Sequence, residues 1–390
     1  MGQQAHAIRD TGPTVAQFPH HSAINPVLDA FTEAVTAAGA HLLPHQLVPG
    51  NPAHFPAWVD QHLHHLDVIH LHWFQRLYLR RGRLRTLHGI RQFITTLRRA
   101  QRHGIAVTWT VHNLRPHEQP YPRLDALAHN LVGRLIDRAT VETPAALPEL
   151  YRVYPMLEGR TSTVALGSYQ SIYPPPIDMS DARQRLGLPP TARIWLAFGL
   201  IRRYKQVPEL ITTFAAALAG PDNILLVAGE PHTDDERRRI EHAARTAPNV
   251  ILQLHKVPDH AIPAVFGAAN YVVCNYRATF NSGVILLAAS YGRSVIAQPV
   301  GTSCALPNDM FAARIAPDPD GLHHALRLSA GANWHHAGAT AFRWASSRTW
   351  TSTGTNTVAT WDQAIRARRQ RRAGPAPFLP HPASESATDR

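Results

Sequence analysis

The chain has 390 residues, 44% of them hydrophobic and 17% charged, with a formal net charge of +12. That balance excludes a disordered chain, and the lack of any apolar run near about 18 residues excludes a membrane-spanning helix. The length suits two domains of ordinary size, and Cys274 and Cys304 suit a reducing compartment rather than a disulfide framework.

Strand and helix patterns alternate along the chain, which predicts an α/β fold with parallel sheets. In the first half, strands are expected at Thr14–Phe18, His41–Val48, Asp67–His72, Ala106–Val111, Thr140–Thr143 and Thr161–Leu166. Helices fall near Pro26–Ala38, Leu84–His103, Arg123–Arg138 and Ala145–Tyr154. The stiff run Tyr173-Pro174-Pro175-Pro176 marks a boundary. Residues 1–175 are then one Rossmann-like domain and 176–350 a second. The second half repeats the theme, with strands at Arg193–Phe198, Asn223–Ala228, Val250–His255, Tyr271–Asn275 and Ser294–Gln298. Its helices fall near Val207–Leu218, Thr233–Thr246, Asp259–Ala269, Gly283–Tyr291 and Gly321–Ser329. Helical patterns follow at Ala337–Ser347 and Asn356–Arg371. The last helix, residues 351–372, is expected to pack back toward the first domain, and residues 373–390, rich in Pro, Ser and charge, to be disordered. Two such halves face each other across a cleft.

The stretch from Ile194 to Pro299 carries the chemistry. Its first strand breaks at Gly199, and Arg202, Arg203 and Lys205 follow before an apolar helix begins. A glycine turn that sets cations at the mouth of a strand–helix unit is a site for a diphosphate, because helix N–H groups and cations both favour negative charge. Further on, Phe280-Asn281-Ser282-Gly283 opens a second helix at the matching sheet edge, the other wall of a nucleotide pocket.

At Gly199–Lys205 and Asn281–Gln298 the chain resembles the GT-B glycosyltransferases, and is most similar to their group 1 retaining family. Matching pieces are Val68-Ile69-His70-Leu71-His72-Trp73, Thr108-Trp109-Thr110-Val111-His112-Asn113 and Leu166-Gly167-Ser168-Tyr169. The resemblance covers about Val15 to Asn308 and implies two Rossmann-like domains facing across a cleft, with C-terminal helices crossing back. It implies transfer of a sugar from a nucleoside-diphosphate donor to a hydroxyl of a polysaccharide precursor, glycolipid or secondary metabolite, with no cofactor and no metal. Gly199, Arg202, Arg203 and Lys205 then hold the donor diphosphate, and Lys256 and Val257 cradle the base. His112 lines the active site near the donor sugar. If configuration is retained, the leaving phosphate accepts the acceptor's proton, and Lys205 with an arginine stabilises its charge. If it is inverted, Glu118 is a candidate general base.

Two family features are missing. The arginine usually found directly after the glycine is Leu200 here, so Arg202 or Arg203 supplies the guanidinium. The family's Glu-x7-Glu pair falls on Thr279 and Leu287, so Asn281, Ser282 and the N–H groups around Gly283 are the groups left to meet ribose. Glu230, ending the strand from Asn223, faces the same edge as a further donor contact. On the acceptor side stand His20, His72, Trp73, Asn113 and His117. The loop Pro19-His20-His21-Ser22 lacks the glycines of a dinucleotide binder and is placed to meet an acceptor instead.

His62, His64, His65, His70 and His72 imitate a metal cluster, but no cysteine joins them, and His70 and His72 are read as facing a domain surface. Between Arg76 and Arg102 lie nine arginines and no acidic residue, with Leu84, Leu87, Ile90, Ile94 and Leu97 at helical spacing. That segment reads either as a core-facing stripe with a solvated basic face or as a dock for anionic lipid. No module for reading nucleic acid is present. The first thirty residues lack a signal peptide's pattern, so a cytoplasmic protein is expected, peripheral on the inner face of the membrane if the basic segment docks. A non-catalytic sugar-nucleotide or glycan binder of the same fold is the alternative, ahead of an epimerase or phosphorylase.

Overall fold

The computed structural model describes residues 12–20, 26–44, 54–116, 118–277 and 279–373. It holds two six-stranded sheets. The first contains β1 (Thr14–Phe18), β2 (His41–Leu42), β3 (Val68–Leu71), β4 (Ala106–Thr110), β5 (Arg138–Val141) and β6 (Thr161–Thr163), ordered β2-β1-β3-β4-β5-β6. The second contains β7 (Arg193–Phe198), β8 (Asn223–Ala228), β9 (Val250–Gln253), β10 (Tyr271–Cys274), β11 (Ser294–Ala297) and β12 (Phe311–Arg314), ordered β12-β11-β10-β7-β8-β9. All pairings within them are parallel. Helices cover both faces of such sheets, so central strands are buried on both sides. Every residue of β3, β10 and β11 is buried, which is why they read as apolar runs. Chain order reverses between β1 and β3 and between β7 and β10, and a crevice opens beyond the carboxyl ends there.

Some elements depart from expectation. The strand expected to Val48 is only His41–Leu42, and residues 45–48 lie outside the described residues. Arg138 opens β5 instead of closing a helix. Strand β12 was not anticipated, because a single one of its residues, Ala313, is buried. The helices His54–His62 and Met179–Leu186 were also missed. The latter stops at Gly187 in the left-handed region (φ 64°), a stop signal readable in sequence. Residues 374–390, expected to be disordered, lie outside the described residues.

The C-terminal helix Trp350–Ala373 extends one residue beyond 351–372 at each end and packs on the helix Val27–Ala37 and against β4 and β5. On the way back it is stitched to the segment before the prolines. Trp350 Nε1 donates to Ser168 O (2.9 Å) and Thr353 Oγ1 to Ala165 O (2.8 Å). Gly354 lets the backbones meet, since a Cβ there would lie 2.1 Å from Ala34 O.

Candidate active site

The second sheet's crevice is built on a close backbone contact. Beyond β7, Gly199 turns with φ 85°, and Gly229 at the end of β8 lies over it. A Cβ on Gly229 would sit 2.1 Å from Gly199 O. Ile201 N then donates to Glu230 O and His232 N to Ile201 O, both at 2.8 Å, pinning the two loops together. Gly229→Ala is therefore expected to destabilise the fold by about 1–3 kcal/mol, because backbone rather than a flexible side chain must move. A urea melt no different from wild type would contradict this.

Lys205 lies beneath that turn. It is 7% exposed, and its Nζ donates to Phe198 O at 2.8 Å, 5.5 Å from the Tyr276 ring centroid. Burial pulls its pKa down to about 8. Arg202 is half-buried and Arg203 exposed. Across the crevice, Ser282 caps the helix Gly283–Ser290 by accepting from Ile285 N, so its hydroxyl already has a donor. Gly283 gives room to Tyr169, whose Oη would be 2.8 Å from a Cβ there. Leu287, where the family's second carboxylate would fall, is a core residue at 4% exposure, an unsuitable place for an unpaired charge.

On the first sheet, the carboxyl ends of β3 and β4 bring His72 and His112 together, Nδ1 to Nε2 at 2.9 Å. The Trp73 ring stacks on His112 with centroids 4.3 Å apart. The Asn113 amide, oriented to suit both neighbours, accepts from Trp73 Nε1 (3.3 Å) and donates to His112 O (3.0 Å). Burial lowers the pKa of His112 to about 4 and that of His72 well below the ordinary histidine value, so both rings are neutral near pH 7. One ring therefore donates and the other accepts.

His70 corrects the expectation of a domain-surface residue. It is 1% exposed, covered by the C-terminal helix, and Trp361 Nε1 donates to its Nδ1 at 3.2 Å. That bond leaves the ring proton on Nε2, which reaches Thr110 Oγ1 at 3.1 Å. His62 is likewise occupied, stacked on Trp58 with Nδ1 at 2.7 Å from Trp58 O. Among the described residues, no group of three or more His, Cys, Asp or Glu is arranged to hold a metal ion.

A cleft of about 910 Å³ joins the two edges. It is lined by Asn113, Arg115 and Glu118 on one side and by Arg202, Arg203 and Thr279 on the other. A neighbouring pocket of about 150 Å³ lies against His72 and Trp73 and shares Asn113, Glu118 and Arg202. Glu118 bridges the walls, its Oε1 lying 3.1 Å from Arg202 Nε and 3.2 Å from His232 Nε2. Asn281 Nδ2 donates to Val111 O at 3.4 Å, and Phe280 is buried in the first sheet's core cluster, so this loop also spans the halves.

Not every expected residue meets at the cleft. Lys205 is under it and Ser282 is engaged in capping. Glu230 is exposed at the same edge, and Lys256 is exposed beyond edge strand β9 with Val257 packed on the core. His20 directly follows β1 and Pro19, and His117 lies outside the described residues. His232, Arg277 and Arg115 were overlooked, although each follows a strand end, where the same rule applied to His112 would have found them.

No family model matches the chain. GDP-mannose:glycolipid 4-beta-D-mannosyltransferase of Xanthomonas campestris pv. campestris is 30% identical over 234 residues, 59% of this chain. The match spans 61% of that relative's length. Sucrose-phosphate synthase from Thermosynechococcus elongatus superposes with a TM-score of 0.71 over 91% of this chain and 100% of its own, at 18% identity. Anabaena HepE, solved with UDP-glucose, gives a TM-score of 0.67 over 89% of this chain and 98% of its own, at 16% identity. The fold is the GT-B fold of the glycosyltransferases.

Proposed function

We propose that this chain is a glycosyltransferase that moves a sugar, on the precedent of its curated relative a mannose from GDP-mannose, to a hydroxyl of a glycolipid. The carrying observation is the cleft in which Arg202 and Arg203, above buried Lys205, face Asn113, beside a small pocket lined by His72, whose neutral ring is hydrogen-bonded to that of His112. Cations at that turn suit a diphosphate whose charge grows as the sugar leaves. A thermal-shift screen of GDP-, UDP-, dTDP- and ADP-sugars tests the reading. Stabilisation by the GDP family followed by release of GDP supports it, and binding without any turnover supports the non-catalytic alternative.

The resemblance implies retention of configuration. A second reading, inversion, is favoured by the curated relative's name, which specifies a 4-beta product; from an α-linked donor that outcome requires inversion. The absent carboxylate pair and a carboxylate already in the cleft, Glu118, agree with it. The one-bond coupling between the anomeric carbon and its proton in the product decides between them.

We place the enzyme at an anionic membrane surface through the helix Arg83–Arg102. No helix among the described residues is long and apolar enough to cross a membrane. The helix's apolar stripe divides in two. Ile90, Ile94 and Leu97 are buried, whereas Leu84 is 84% exposed and Leu87 45%, beside exposed Arg81, Arg83 and Arg85. Arginines around projecting leucines suit anionic headgroups with shallow apolar insertion, each arginine worth about 1 kcal/mol. The double variant L84E/L87E is expected to bind phosphatidylglycerol vesicles at least about tenfold more weakly. Binding indifferent to anionic lipid would sink the idea.

A further inference from the structure

Arg202 has two claims on it. As a donor residue it must face a diphosphate, yet its Nε lies 3.1 Å from Glu118 Oε1, a carboxylate from the opposite wall of the cleft. The same oxygen lies 3.2 Å from His232 Nε2, so one carboxylate oxygen is shared between two side chains of the second domain. The Glu118 side chain is 53% exposed, and exposed pairs are weak, worth about fivefold or less in an equilibrium. A diphosphate offers the same guanidinium a more strongly charged, bidentate partner and wins that contest. The segment around Glu118 is held independently of Arg202, since Gln75 Nε2 donates to Glu118 O at 2.9 Å and Gln119 Nε2 to Pro116 O at 2.8 Å. Losing Arg202 therefore frees the carboxylate without freeing its backbone. Glu118 also lines the small pocket against His72 and Trp73, on the acceptor side.

We propose that Arg202 changes partners when donor binds. The diphosphate takes Arg202, and Glu118, still steadied by His232, is released to the acceptor hydroxyl. The inference rests on the transferase reading with inversion. In the transfer step the hydroxyl oxygen bonds to the anomeric carbon, and its proton passes to the Glu118 carboxylate. The bond from that carbon to the diphosphate oxygen breaks, and the nucleoside diphosphate leaves with the electron pair. A base released from Arg202 only after the donor has arrived makes the productive order of binding donor first. Water gains no activated partner in the empty cleft.

Removing the Glu118 charge should move two quantities in opposite directions. In Glu118→Gln, donor binding measured calorimetrically with GDP-mannose is expected to tighten about two- to fivefold, because the competitor for Arg202 is gone. Transfer to acceptor is expected to fall at least about 100-fold, because the base is gone. Glu118→Ala, which removes the hydrogen-bonding amide as well, is expected to behave alike, and melting curves on both variants check folding. Donor binding that weakens or stays the same overturns the exchange of partners. Tighter donor binding with unimpaired transfer overturns the role at the acceptor. A folded wild-type protein that binds no nucleotide sugar at all overturns this inference together with the transferase reading, a result distinct from either of the first two.

Discussion

Replacing Lys205 by methionine is expected to lower transfer by about 10²–10³-fold while leaving the protein at least as stable as wild type. The opposite signs follow from burial. Lys205 is 7% exposed, and burial lowers its pKa from the ordinary 10.5 to about 8. Below about pH 8 the native state holds a charge that the unfolded state carries more cheaply, at a cost of about 3 kcal/mol. Methionine removes that cost and keeps the bulk. It also strands Phe198 O, which Lys205 Nζ reaches at 2.8 Å, for a loss of about 1–2 kcal/mol. The first effect is the larger, so a clearly lower melting temperature would count against a buried cation. The titration has a further signature. Between about pH 8 and the ordinary lysine value, the unfolded chain holds a proton that the folded one lacks. Lys205 therefore makes the native state more stable as pH rises through that window. Donor binding moves the other way, because the anion needs the ammonium, and affinity should fall above about pH 8 by up to tenfold per unit. Lys205→Met should lack this dependence. A wild-type affinity flat across that range would remove Lys205 from the donor site.

The sequence makes some of this legible and hides the rest for physical reasons. Strands β3, β10 and β11 stand out because a parallel sheet buries both faces, so burial is written as a continuous apolar run. The turn at Gly199 stands out because a glycine between a strand and cations is local information. Strand β12 is silent, being mostly half-buried at a sheet edge. His70 was read as facing a domain surface from strand alternation alone. The face exists, but Trp361, 291 residues away, covers it, and no local pattern announces such a contact. The contacts of Glu118 with Arg202 and of Asn281 with Val111 are of the same kind. They join loops whose sequences carry no periodicity, so the residues on each side were named from sequence and the contacts between them across the cleft were not. The leucines of the basic helix show the same limit, since spacing predicts one apolar stripe and only packing reveals that Leu84 and Leu87 lie beyond the core.

Asp137 supports the covering helix, and Asp137→Ala is expected to cost about 3–5 kcal/mol, lowering the melting temperature by several degrees. The carboxylate is completely buried. It accepts from Val107 N at 2.9 Å and Gln101 Nε2 at 3.2 Å, and from Arg368 through Nη2 at 2.5 Å and Nε at 3.2 Å. Arg371 Nη1 adds a contact at 3.0 Å, but its side chain is 46% exposed, so Arg371→Ala should cost about 1 kcal/mol or less. Arg368 differs, with a side chain 13% exposed. Deleting Asp137 leaves its guanidinium with little water and no carboxylate. If the stranded cation is the main expense, adding Arg368→Met to Asp137→Ala should restore part of the lost stability. If the unpaired Val107 N–H and the cavity dominate, the double variant should be no better than the single one. The two outcomes separate electrostatic from packing attachment of the C-terminal helix. The same helix sets the His70 tautomer through Trp361, next to the His72 ring at 4.6 Å between centroids. Loosening it should therefore lower transfer even at temperatures where the single variant remains folded.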